Sequence, residues 1–165
     1  MVVMNCNGPI QTPVTGRDYA GDQRDSLQAL AQFYCALNSR DLDMMQQNWA
    51  NSADAAMDNP LGGIKRGWSE IRTTYERLFG SKGAYQFEFY DYTLHEGGDL
   101  FYVVGRERGE LVVSGQPMRL AIRTTRVFRR DADQRWRQVH HHGSIDDAKM
   151  LADYQEAVLG KRLAA

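Results

Sequence analysis

The sequence predicts an α+β fold in which helices pack on one face of an antiparallel sheet. Three observations predict it. Apolar residues recur at helical spacing up to residue 80 and again in the tail, whereas residues 84–142 alternate in polarity and are rich in aromatic and β-branched side chains. The separators within that second region, "EGG", "SGQ" and "DADQ", are hairpin-sized, so its strands should form a meander. A chain of 165 residues with 42% hydrophobic content holds one core and is short for two.

Element by element, residues 1–24 carry Gly and Pro without periodicity and read as an irregular arm. "RDSLQALAQFYCALNSRD" places Leu27, Leu30, Tyr34 and Leu37 on one helical face, with Asp25 or Ser26 as its cap. "LDMMQQNWA" continues with Leu42, Met45 and Trp49, and "ADAAMDNPLGG" then breaks the helix and leaves room for a short strand. A third helix, "GWSEIRTTYERLFG", buries Ile71, Tyr75 and Leu78 and stops at Gly80. Four long strands follow: "AYQFEFYDYTLH", "DLFYVVGRERGELVV", "PMRLAIRTTRVF" and "RWRQVHHH". The tail from residue 145 reads as a closing helix with contacts from Ile145, Met150, Leu151, Tyr154 and Val158. The expected units are therefore an arm (1–24), a domain (25–144) and a C-terminal helical extension (145–165).

Composition excludes several function classes. Twenty basic against twenty-one acidic residues leave a net charge of −1, which supplies no field to attract nucleic acid or an anionic membrane. Cys6 and Cys35 are too few for a disulfide framework and lack zinc-site spacing, and Cys35 reads as a small core residue. The apolar start has no cationic flank and no long apolar run, so neither a secretory leader nor a membrane span is expected, and a cytoplasmic location is.

Three adjacent histidines raise the question of a metal. On a strand, His140 and His142 share one face and His141 takes the other, so the three cannot ligate one ion without a bulge. A pair at i, i+2 needs a third ligand, and the only other histidine, His95, lies at the far end of the first hairpin. No metal and no cofactor are therefore expected, and the plainer reading leaves His140 and His142 at the surface or at an interface. Nine arginines lie between Arg106 and Arg137, and such a run is ordinarily a solvated face with carboxylate partners. Loop centres nevertheless bring Arg106 and Arg126 within one or two rungs, with a one-residue slip deciding the face. If both are enclosed, a bound carboxylate or an acid such as Asp54 or Asp58 has to answer their charge.

Two stretches resemble the nuclear transport factor 2-like superfamily, over roughly residues 25–144. "MDNPLGGIKRGWSEIRTTYERLF" resembles the strand, turn and helix of SnoaL-like and ketosteroid isomerase-like members. "TTRVFRRDADQRWRQVHHHGS" is similar to the end of the association domain of calcium/calmodulin-dependent protein kinase II and is the more specific match. The resemblance implies a cone-shaped, cystatin-like fold around a pocket, and oligomers that are dimers or larger. In the isomerase alignment the catalytic aspartate falls on Asn59, the protonated acid on Thr124 and the hydroxyl donor near Phe33, so steroid-type isomerisation is not expected. Only Tyr75 matches a pocket tyrosine. In the kinase-type alignment two carboxylate-binding arginines fall on Arg106 and Arg126 and a third on Gly143. That register turns Val139, His141 and Gly143 inward and His140 and His142 outward.

The expected function is an oligomeric small-molecule-binding domain with a pocket for a small anionic ligand. Arg106 and Arg126 grip its carboxylate, Thr124, Tyr75 and Asn59 add polar contacts, Trp49 and Phe33 form apolar wall, and His141 contributes a donor or, when protonated, a charge. The alternative is a SnoaL-type lyase, hydratase or cyclase with His141 as general base oriented by Asp58 or Asp54.

Overall fold

A computed structural model describes residues 8–80, 85–113 and 115–161; Cys6 lies outside them. Asp25, not Ser26, caps the first helix, α1 (Ser26–Ser39): its carboxylate accepts from the Gln28 amide, satisfying one donor that a helix start leaves open. Asp41 does the same for α2 (Leu42–Asn48) by accepting from Met44. Trp49, read from sequence as the end of that helical face, is its extended C-cap. The short strands β1 (Ala56–Asp58) and β2 (Lys65–Arg66) lead into α3 (Gly67–Gly80), which buries Ile71, Tyr75 and Leu78 as its spacing predicts. Each such side chain removed from water stabilises the fold by roughly 1.5–3 kcal/mol.

The long strands are β3 (Tyr85–Gly97), β4 (Leu100–Val113), β5 (Gln116–Arg130) and β6 (Trp136–Ser144). They form one sheet in the order β2-β1-β6-β5-β4-β3, antiparallel except where β1 runs parallel to β6. Helices lie on its inner face, giving the α+β cone expected from the sequence. Two bulges bend the sheet. One follows Tyr90 in β3, where Asp91 is left-handed. The other makes Val139 an extra residue in β6, since Val127 pairs with His140 but Phe128 with Gln138.

The inner face of β4 and β5 is set by their apolar residues. Phe101, Val103 and Leu111 are buried on β4, as are Leu120, Ile122 and Phe128 on β5. Phe101 and Phe128 stack at 4.4 Å, with Trp136 edge-on at 4.9 Å. Gly109 leaves room for the Phe87 ring, which lies 2.3 Å from where a Cβ would stand.

The arm is less irregular than expected. Ile10 and Val14 bridge to Tyr92 and Phe89, so the segment pads the outer edge of β3 beside its bulge. The chain closes with α4 (Ala148–Leu159), capped by Asp147 and ended by Gly160 in the left-handed region. Ile145 and Tyr154 are buried, while Met150, Leu151 and Val158 are half-buried against the core. Cys35 is half-buried rather than part of the core. No described helix is long and apolar enough to cross a membrane.

Candidate functional site

Inside the cone lies a cavity of about 60 Å³. Its walls come from every layer: Phe33 and Leu37 of α1, Tyr75 and Leu78 of α3, Ile122 and Arg126 of β5, His141 of β6, and Tyr154 of α4. Met57, Asn59 and Pro60 close one side, and Phe87 and Glu107 another.

The floor is an ion pair that the sequence reading missed. Arg126 is 1% exposed and donates from Nη2 to Glu107 Oε1 at 2.6 Å. The same oxygen accepts from Tyr34 Oη at 2.5 Å, and Glu107 Oε2 accepts from Thr124 Oγ1 at 3.1 Å. Arg126 Nη1 donates to Gln138 Oε1 at 2.8 Å, and its guanidinium carbon stands 3.5 Å from the centre of the Phe33 ring. Behind it, Gln138, Asn48, Gln32 and Gln23 continue a buried chain of hydrogen bonds. Burial by itself opposes the Arg126 charge, but Tyr34 and Glu107 outweigh it and push the pKa up. Burial pushes the Tyr34 phenol well up and the Tyr75 phenol up to about 12, so both stay neutral donors at neutral pH.

His141 is the opposite case. It is 6% exposed and lines the cavity, and both ring nitrogens are buried with no hydrogen-bond partner among the described residues. Burial first, then the Arg126 charge and the flanking histidines, hold its pKa well below the usual histidine value. It is therefore a neutral imidazole at pH 7 and does not stand in for a missing cation.

The two-arginine clamp does not form. Arg106 pairs with Arg123 across β4 and β5 while Arg126 faces Val103, so the two lie on opposite faces. The Arg106 side chain is 57% exposed and pairs with Asp91 at 3.2 Å. The physical reason is alternation: Arg106 directly faces Arg123, and Arg126, three residues further along β5, projects from the other face. Arg106 is thus one of eight arginines of the run that meet carboxylates at the surface, as the plainer reading has it; Arg126 is the exception.

The other expected residues divide. Phe33, Tyr75 and Asn59 line the cavity, although the Asn59 side-chain oxygen is engaged by the Leu61 amide in a local turn. Thr124 is buried but bonds to Glu107 rather than to the cavity. Trp49 belongs to the core beside Gln138 and is not among the described cavity-lining residues. Asp58 lies on the outer face with His140 and His142, so it cannot orient His141. Asp54 sits at the surface, where a hydrogen bond from Arg129 holds its carboxyl at about 2. Gly143 faces inward as expected, with Ile122, Pro60 and His141 each 3.2 Å from where a Cβ would stand. Val139 does not, because the bulge gives its inward place to Gln138.

Solved structures share this architecture. A candidate dehydratase of the NTF2-like family from Streptomyces avermitilis is 22% identical, with a TM-score of 0.67 over 73% of this chain and 93% of that one. A candidate calcium/calmodulin-dependent protein kinase II association domain from Thiobacillus denitrificans is 29% identical, with a TM-score of 0.58 over 73% and 94%. The CaMKII hub of S. rosetta is 21% identical, with a TM-score of 0.62 over 72% and 92%. A search of curated proteins returns no match. The sequence pattern of the SnoaL-like domain matches residues 27–148. With that match spanning most of the chain, and with a cone of NTF2-like topology beneath it, the protein belongs to the SnoaL-like family.

Proposed function

We propose that this SnoaL-like protein binds one small, uncharged and largely apolar molecule inside the cone, anchored by a hydrogen bond to His141. The unpartnered imidazole carries the reading. Two buried nitrogens without partners cost on the order of 1–3 kcal/mol each, and a ligand offering a hydroxyl or carbonyl removes part of that cost. The expected carboxylate is replaced by a neutral ligand because the guanidinium that is enclosed among the described residues, that of Arg126, already holds Glu107. The size of the cavity limits the occupant to a few non-hydrogen atoms, since one water needs about 10–15 Å³ of such space. A larger ligand needs α4 to move, which means displacing Tyr154 and the hydrogen bond from Gln155 to the Pro60 carbonyl.

A thermal-shift panel of small alcohols and ketones beside formate and acetate tests this. Neutral compounds should raise the melting temperature of the wild type and not that of His141→Leu. A response to carboxylates alone, or an equal response in the variant, overturns it.

A second reading makes His141 a general base in a lyase or hydratase. A neutral imidazole with a free acceptor nitrogen favours it, and so does the likeness to the Streptomyces candidate dehydratase. His141→Gln separates the two readings: it keeps a hydrogen bond but no base, so binding survives and turnover does not.

The protein would act as a homo-oligomer. Leu100, Tyr102 and Val104 are exposed together on the outer face of β4, a sheet surface suited to packing against a second copy, and a hub domain is among the structural neighbours.

A further inference from the structure

On the face of the sheet opposite the cavity, Asp58 of β1 lies between two histidines of β6. The parallel pairing sets Ala56 beside His140 and Asp58 beside His142, so one carboxylate meets both outward imidazoles of the triplet. Asp58 Oδ1 is 3.7 Å from His140 Nε2, and Asp58 Oδ2 is 3.1 Å from His142 Nδ1. Each residue can offer one ligand atom such that all three lie within 4.8 Å of one another. Two ligands of a tetrahedral zinc ion stand about 3.4 Å apart, given metal–ligand bonds of about 2.1 Å. The two aspartate–histidine separations, each to its own carboxylate oxygen, bracket that value.

Two further features point to an ion. His140 Nδ1 lies 3.2 Å from the Ala56 carbonyl, and since that oxygen can only accept, the hydrogen bond puts a proton on Nδ1. In the neutral ring, Nε2 then presents a lone pair toward Asp58 Oδ1. That oxygen is itself buried with no hydrogen-bond partner among the described residues. Two acceptors thus face each other at a distance too long for a hydrogen bond, and a cation between them satisfies both. A backbone carbonyl that fixes the tautomer of a ligating histidine is the usual outer support of a metal site.

From this geometry we infer that Asp58, His140 and His142 form a binding site for a late first-row divalent cation such as zinc. Imidazole and carboxylate donors suit zinc, copper or nickel better than calcium or magnesium. Three protein ligands leave a fourth position open to water or a small ligand. His142 also lines an outer groove of about 540 Å³ with Arg106 and Arg123, so that position is accessible. The site is independent of the cavity reading, because the sheet separates the two.

Chelator-treated full-length protein titrated with zinc by calorimetry tests the site, with cobalt(II) absorption as a second readout. The expected result is one ion per chain and a tetrahedral cobalt spectrum. Affinity should fall about tenfold or more in Asp58→Asn and in His142→Ala, both checked for folding by circular dichroism, and stay unchanged in His95→Ala. The inference is overturned by no binding, which leaves an imidazolium–carboxylate ion pair. It is equally overturned by binding that survives the Asp58→Asn/His142→Ala double variant, or by one ion per two chains, which places the metal between copies.

Discussion

Arg126 and Glu107 form a 2.6 Å ion pair at the floor of the cavity, with side chains 1% and 5% exposed. It lets a guanidinium sit among aromatic rings without an external anion. A buried charge that loses its partner is strongly destabilising, whereas replacing both members by apolar groups is often close to neutral. Glu107→Gln and Arg126→Met should each cost about 3–5 kcal/mol in urea unfolding. The double variant with Glu107→Met and Arg126→Met should recover most of that loss, the non-additivity being the measure of the pair.

Tyr34 supports the same carboxylate from α1. Tyr34→Phe keeps its ring against Phe33 and Phe89 and removes one donor. We expect a loss of about 1–3 kcal/mol, the range for leaving a buried acceptor short of a partner, measured by the same unfolding experiment.

The depressed pKa of His141 makes stability depend on pH. The native ring stays neutral below the unfolded value near 6.5, so the unfolded chain binds the extra proton. Stability is therefore full above about pH 6.5 and falls as pH drops from there toward the native pKa, by up to about 1.4 kcal/mol per unit. Unfolding curves recorded between pH 5 and 8 with chelator present should show this slope in the wild type. In His141→Gln the slope should flatten.

Gly109 has no room for a side chain under the Phe87 ring. Gly109→Ala should lower stability by about 1–3 kcal/mol, as overpacking does, and the double variant with Phe87→Leu should regain part of it. A fall in melting temperature that is identical in both backgrounds would place the cost in the backbone instead.

The exposed apolar row of β4 predicts association through the outer face. Tyr102→Glu should shift light-scattering mass to the monomer while leaving the circular dichroism spectrum unchanged. An unaltered mass would assign the oligomer contacts to another surface.

The sequence by itself determined the helices, the meander and, away from the bulges, which residues of a strand share a face, because those follow from local periodicity. The alternation of Phe101, Val103 and Leu111 already turns Glu107 inward and Arg106 outward. Counting rungs from loop centres obscured that, since it gives how near two residues lie along the sheet and not which face each takes. Phe33, Tyr75 and His141 were legible as cavity residues from the family resemblance. Only the tertiary structure decided the rest. The bulge at Val139 breaks alternation, so no periodic rule puts Gln138 inside. Asp58 reaches His140 and His142 through a parallel pairing of a three-residue strand with one more than 80 positions away. A contact of that sequence separation leaves no local trace, because the packing of the whole sheet, not the preference of either segment, selects it.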